Sequence, residues 1–381
     1  MCYFWGLEKM VAEPKPCSEP FMYIMANEVN NPVKRKRKEK SKLVPSLIVL
    51  FLFLFVSFSY YAYQIVYTAN VDTKEREVYV LIPTGATYEQ AMDSVEASGV
   101  IIDRLSLRFM SKLMDYDKLV KPGRYKLENG WNNRQLIGVL RLGQQMPLNL
   151  TFSNVRLRSQ LAEKLATDLE ASEQELDSLL NDPVYLQTLG FDTTNIVSMF
   201  IPNTYEVYWT TTAPELMQRM KTEYDKFWTD ERKAKAEQLG LTPQQVSTLA
   251  SIVQAETLKS DEKPRVAGVY LNRLQRGMLL QADPTVVFAV RDFTIRRVLN
   301  KHLTHDSPYN TYKYKGLPPG PINVPVISSI DAVLNPEQHK YIYFCAKDDF
   351  SGYHAFASTV AEHQANARRF HRALNERNIM K

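Results

Sequence analysis

An uninterrupted stretch without a single charged residue, LVPSLIVLFLFLFVSFSYYAYQIVY from Leu43 to Tyr67, constrains this chain more than any other feature. Coiled as one helix, a run of that length reaches about 38 Å, more than the roughly 30 Å hydrocarbon core of a bilayer. Directly before it, KRKRKEKSK from Lys34 to Lys42 carries seven positive residues and one negative. Tyr60, Tyr61, Tyr63 and Tyr67 crowd the far end, where aromatic rings favour a membrane interface. The pattern predicts an uncleaved single-pass anchor, with the N-terminus in the cytoplasm and everything after Tyr67 outside. A cleavable signal is the competing reading, but the apolar run is too long and no small-x-small site follows it. KRKRK also looks like a nuclear-localisation string; the adjoining span argues against that. The formal net charge of +5 has the same origin, because the flank alone contributes +6 and leaves about −1 for the rest. The basic balance therefore reports topology, and no nucleic-acid partner is expected.

Met25 opens MANEVNN and reads as the natural start, residues 1–24 having no periodicity. Cys2 and Cys17 precede the span and Cys345 alone follows it, so no disulfide framework is expected, and Cys345 in YIYFCA reads as a core residue. The 381 residues suffice for the anchor and two or three folded parts. REVYVLIPTGATYEQAMDSVEASGVI reads as strand, turn and helix, Thr87 capping and Gln90 completing a capping box. KPGRYKLENGWNNRQLIGVLRLGQ repeats the order, with Gly143 stopping its helix. These form a small α/β module over residues 77–150. LNLTF is a further strand, and residues 156–180 read as helical with an acidic solvated face. Beyond SMFIPNTYEVYW the chain alternates helices with SPYNTYKYKGLPPGPINVP, where prolines and glycines exclude helix and central strand and leave a shaped loop. A hairpin, YIYFCAKDDFSGYHAFAS, and a closing helix complete an α+β architecture. Its divisions are an N-terminal segment 1–42, a span 43–67, the module 77–150 and a larger domain 151–381.

Within that domain Thr242, Pro243 and Gln245 mark a capped helix start, and Val246, Leu249, Ala250 and Val253 follow at the spacing of a buried stripe. Glu256 comes three residues after Val253 and projects beside the apolar face. Its carboxylate either reaches solvent, as most helical glutamates do, or is held against a dry wall that favours its protonated form. Asp283, before Pro284, is a second carboxylate that either caps a turn or works in a site.

IPNTY, LASIVQAET, VYLNRLQRGMLLQADPTV, YNTYKYKGLPPGPI and YHAF, in this order, resemble the endolytic murein (peptidoglycan) transglycosylase family. The likeness runs from about Glu77 to the end and includes the small module, which resembles a LysM-like subdomain. Asn203, at a place often aspartate in the family, and Val324–Pro325–Val326, lacking a glycine often found there, depart from the pattern. The resemblance implies a membrane-anchored lytic transglycosylase that cuts nascent glycan strands between MurNAc and GlcNAc, leaves 1,6-anhydroMurNAc ends and possesses no metal or organic cofactor. Glu256 is the implied catalytic residue. Gln281, Asp283, Asn310, Thr311, Tyr312 and His354 are the implied substrate-binding residues. Arg273 is a candidate partner for Asp283 or a muramyl carboxylate, with a surface role as the plain alternative. The implied partners are peptidoglycan glycan strands, the cell membrane and the peptidoglycan synthesis machinery. The implied location is the inner membrane, with the catalytic domain periplasmic.

Two other classes stay open: a hydrolase of the same substrate that pairs Glu256 with Asp283, and a non-catalytic cell-wall scaffold. All six histidines fall between His302 and His371, but HLTH lacks a third ligand at metal spacing, so no metal is expected. No nucleophile elbow supports a serine triad.

Overall fold

A computed structural model describes residues 42–153 and 155–377. The basic flank before Lys42, Met25, Cys2 and Cys17 lie outside the described residues. Helix α1 (Leu43–Tyr67) runs the whole length of the uncharged stretch, and its apolar side chains from Leu43 to Phe58 are all exposed. It is the one helix among the described residues long and apolar enough to cross a membrane. The described residues from Tyr60 onward, which include the last turns of α1, form one compact unit.

The first part of this unit follows the expected order with one helix more. Strand β1 (Val78–Ile82) and helix α2 (Tyr88–Ala97) are joined by a turn, and Thr87 and Gln90 form the reciprocal cap. Helix α3 (Arg104–Leu113) precedes strand β2 (Gly123–Leu127), which pairs antiparallel with β1, Val80 opposite Tyr125. Helix α4 (Asn133–Leu142) ends where Gly143 enters the left-handed conformation. One face of each element closes over a core of Val80, Ile82, Met92, Leu107, Tyr125 and Leu136, all almost fully buried. A buried polar knot fixes where the chain leaves α1. Asn70 Nδ2 donates to Asn133 Oδ1 at 2.6 Å, while Asn133 donates to the Ile65 carbonyl at 2.9 Å.

Strand β3 (Leu148–Thr151) belongs to the second core, through Leu150, and pairs antiparallel with β4 (Thr204–Val207). The helical stretch expected over 156–180 is two helices, α5 (Arg158–Ala166) and α6 (Glu173–Asn181). The break has a local cause: Leu169 and Ala171 turn inward, and Ser172 accepts from the Glu175 amide to start α6 afresh. After α7 (Pro183–Thr188) and β4 come α8 (Ala213–Phe227) and α9 (Asp230–Gln238). Helix α10 (Pro243–Glu256) packs against α11 (Lys263–Gln275), α12 (Asp283–Val290) and α14 (Ile327–Leu334). Short α13 (Asn300–Leu303) lies between α12 and the proline-rich loop. The hairpin β5 (Tyr343–Ala346) and β6 (His354–Ala357) sets Cys345 opposite Ala355, and α15 (Val360–Glu376) closes the chain. Cys345 is half-buried and not in the core, because β5 has a partner on only one side. The protein is thus a mixed α+β fold with one apolar N-terminal helix.

Candidate active site

Helix α10 begins as the sequence requires. Thr242 accepts from the Gln245 amide, Gln245 returns the bond, and Pro243 takes the first helical position. Val246, Leu249, Ala250, Ile252 and Val253 are fully buried and fix the rotation of the helix. The helix stops at Glu256 because Thr257 turns to extended backbone, φ −140° and ψ 137°. Thr257 is held there by its hydroxyl, which donates to Glu262 Oε2 at 3.1 Å. The Glu262 carboxylate is only 2% exposed; it accepts the His354 amide at 2.8 Å and faces His354 Nδ1 at 2.7 Å. His354 therefore ties strand β6 to the segment after α10, and its ring meets Phe344 edge-on at 5.2 Å. Expected as a substrate-binding residue, it is here engaged with Glu262 and braces the segment that follows Glu256.

Glu256 is half-buried at the C-terminal end of α10, and Tyr270 of α11 donates its hydroxyl to Oε1 at 2.9 Å. Tyr270 is buried and its ring packs edge-on against Phe344 at 5.9 Å. Burial pushes the Glu256 carboxyl up to about 7, opposed by the Tyr270 hydrogen bond, reinforced by the Asp283 charge and opposed again by Arg273. The negative end of the helix dipole also disfavours an ionised group at this position. Burial and the adjacent carboxylate push Tyr270 well above its ordinary value, so it remains a donor.

Asp283 opens α12, is exposed, and accepts the Tyr312 hydroxyl at 2.6 Å. Gln281, two residues earlier, stands at φ 49°, a costly conformation for a residue with a side chain. Its amide donates to the Thr311 carbonyl at 3.1 Å, and its exposed side chain makes no hydrogen bond among the described residues. Asn310 and Thr311 differ from the expectation of direct sugar contacts. Asn310 is fully buried, donating to the Leu303 and His305 carbonyls and accepting the Tyr312 amide. Thr311 accepts from the Ala282 amide at 3.0 Å and meets the Thr285 hydroxyl at 2.8 Å. Thr311 holds the Tyr312 loop onto the start of α12, and Asn310 ties the same loop to the end of α13. Arg273 neither pairs with Asp283 nor lies on the surface. It is buried and donates to the carbonyls of Ile342 and Leu280, each at 2.6 Å.

Gln254 was not singled out by the sequence, yet it fixes the proline-rich loop. It donates to Asn323 Oδ1 and the Val324 carbonyl and accepts the Val326 amide at 2.6 Å. Gly320 lets the same loop pass close to the backbone elsewhere, since a Cβ there would lie 1.9 Å from the Thr194 carbonyl oxygen. Glu256 and Asp283 consequently share a cleft of about 750 Å3 with Asn323, Phe288, Phe293 and Arg156. That volume suits a small-ligand site. Tyr270 was also missed, because a tyrosine on a buried helical stripe reads as core. Among the described residues, no group of three or more His, Cys, Asp and Glu side chains is placed to hold a metal ion. The arrangement supplies a carboxyl able to hold and release a proton near neutral pH beside a partly apolar groove.

Comparison with known proteins finds relatives of this chain. The chain is 26% identical over 315 residues to the endolytic murein transglycosylase of Bacillus subtilis, covering 79% of this chain and 86% of that protein. It is 25% identical over 343 residues to the endolytic murein transglycosylase of Streptococcus pneumoniae, covering 81% of this chain and 61% of the longer relative. A crystal structure of a YceG-like protein from Listeria monocytogenes matches with a TM-score of 0.50 and 27% identity, over 76% of this chain and 99% of that one. The model of the YceG-like family matches residues 80–369, and this chain belongs to that family.

Proposed function

We propose that this protein is a membrane-anchored endolytic lytic transglycosylase that cleaves the MurNAc–GlcNAc bond of peptidoglycan glycan strands. The observation that carries the reading is Glu256, a carboxyl raised to about 7 at the rim of a cleft and steered by Tyr270. Relatives named endolytic murein transglycosylases supply the substrate class. In its protonated form Glu256 gives its proton to the glycosidic oxygen as positive charge grows at C1 of the muramyl ring. The C1–oxygen bond breaks and the GlcNAc hydroxyl leaves. The 6-hydroxyl of the same muramyl residue then closes on C1 and surrenders its proton to the Glu256 carboxylate. The product is a 1,6-anhydromuramyl end, the enzyme regains its starting state, and no water is consumed. Ring closure within one sugar carries a large intramolecular advantage.

Asp283, held by Tyr312, and the unengaged side chain of Gln281 orient the sugars. Asn310, Thr311 and His354 act on that binding at one remove, by fixing the loops they tie. The exposed apolar surface of α1 supports insertion in the inner membrane, and the basic flank supports a cytoplasmic N-terminus with the cleft in the periplasm. The module ending at α4 contributes glycan affinity in the manner of a LysM-like subdomain, and the peptidoglycan synthesis machinery is the natural neighbour of an enzyme that ends nascent strands.

Digestion of glycan strands in ¹⁸O-labelled water, read by mass spectrometry, tests the reading. Anhydro ends without the label are expected. Heavy oxygen at the new muramyl end would make the protein a hydrolase, with the exposed Asp283 as the base that activates water.

A further inference from the structure

The cleft carries two cations that the chemistry at Glu256 does not use. Arg156, just before α5, and Arg296, after α12, both line it and both are exposed. Neither guanidinium makes a hydrogen bond or ion pair among the described residues. The two acids of the same cleft have other partners, Glu256 the Tyr270 hydroxyl and Asp283 the Tyr312 hydroxyl. Arg156 is not free to wander, however. Its guanidinium carbon lies 5.0 Å from the centre of the Phe293 ring, which also lines the cleft. A cation held over an aromatic face keeps its edge N–H groups available. The backbone beneath it is fixed as well: the Arg156 amide donates to Gln160 Oε1 at 3.1 Å, and the Val155 carbonyl accepts the Val324 amide at 2.8 Å. That second bond sets the side chain beside the proline-rich loop next to Asn323.

A glycan strand stripped of its peptides still carries one carboxylate per muramyl residue, on the lactyl arm, whereas the sugar rings themselves present only neutral N-acetyl and hydroxyl groups and give a guanidinium no charged partner. The lactyl arm of a muramyl residue carries a peptide with free carboxylates, and a planar guanidinium fork fits a carboxylate in bidentate fashion. Resting on the peptidoglycan reading above, we propose that Arg156 and Arg296 form a carboxylate-binding subsite of the Glu256 cleft. It takes the carboxylates of the muramyl arm, on the peptide or on the bare lactyl group, and makes the protein select strands that keep them over strands in which they are neutralised.

The test is binding by the detergent-solubilised full chain carrying Glu256→Gln, so that affinity is read without turnover and independently of the proposed chemistry. Three soluble muramyl oligosaccharides are compared: peptide-bearing, peptide-bearing with its carboxylates amidated, and stripped of peptide with its lactyl carboxyls reduced to alcohols. The peptide-bearing form should bind about tenfold more tightly than the other two, as expected for charge-assisted hydrogen bonds. Adding Arg156→Gln and Arg296→Gln should abolish that preference. Equal affinity for all three oligosaccharides, or a preference that survives both arginine substitutions, would overturn the proposal. So would a preference that persists for the amidated form, which would assign recognition to the peptide and not to its charge.

Discussion

Glu256→Gln keeps the outline of the side chain and leaves an oxygen to accept the Tyr270 hydroxyl, 2.9 Å from Oε1 in the parent protein. It removes the one proton that the site can give away. The folded carboxyl holds that proton up to about 7, against 4.5 for an ordinary glutamate. Between those values the folded state binds more protons than the unfolded one, so wild-type stability falls as pH rises through the window. Below about 4.5 both states are protonated and the carboxyl carries no penalty. Above about 7 both are ionised and the full penalty applies, about 3 kcal/mol at roughly 1.4 kcal/mol per tenfold change in proton affinity. Glu256 is only half-buried, so solvent screening makes that figure a ceiling. Glutamine does not ionise. The variant should match wild type in thermal unfolding near pH 4.5 and exceed it near pH 8, by about 5 °C for a unit of this size. Turnover of glycan strands should fall by about a hundredfold to ten-thousandfold below about pH 7, where wild-type Glu256 keeps its proton. Scanning calorimetry of the solubilised chain and product analysis on the same preparation read both effects. A stability difference independent of pH, or turnover near that of wild type, would refute the assignment of Glu256 as the acid of the site.

Three further substitutions probe its surroundings. Tyr270→Phe removes a donor that favours the ionised carboxylate, so the alkaline limb of the pH–activity profile should move to higher pH; an unmoved limb would dissociate Tyr270 from the acid. Asp283→Asn removes a charge that holds the Glu256 proton, so that limb should move to lower pH, with more residual turnover than Glu256→Gln retains. Gly320→Ala would drive a methyl to within 1.9 Å of the Thr194 carbonyl, and urea titration should show a loss of about 3 kcal/mol, with full stability arguing that the loop passes elsewhere.

The parts of this fold that were legible in sequence are those whose signals lie within a few residues of one another. Thr87 with Gln90, Thr242 with Gln245, and Gly143 at the end of α4 each specify a helix boundary through a short hydrogen bond or a left-handed turn. The break between α5 and α6 was equally local, a serine and glutamate three apart, but was outweighed by the helical periodicity on either side. What the sequence could not assign is the side of a wall on which a polar group ends. Asn310 and Thr311 offer the same donors and acceptors whether they face a sugar or the chain itself, and only the folded path of their loop gives Asn310 the Leu303 and His305 carbonyls and Thr311 the Ala282 amide. Arg273 is the same case on a helix, taken inward by carbonyls from β5's approach and from the segment before Gln281.

The Glu-Thr pair shows how closely chemistry and architecture are joined in such strings. Glu256 alone is a helix-terminal acid; its direction is set by the residue after it. Thr257 leaves the helix and gives its hydroxyl to Glu262, and Glu262 is gripped in turn by His354 from a strand about ninety residues away. Glu262 carried no sequence signal, since a glutamate before a helix ordinarily faces water. Its burial follows from the local Thr257 hydroxyl and from two contacts to His354 that exist only once the β5–β6 hairpin has folded back. What His354 touches was not legible in the sequence: it grips a buried carboxylate next to Thr257, and its loss should loosen the end of α10, read as a lower thermal midpoint for His354→Ala.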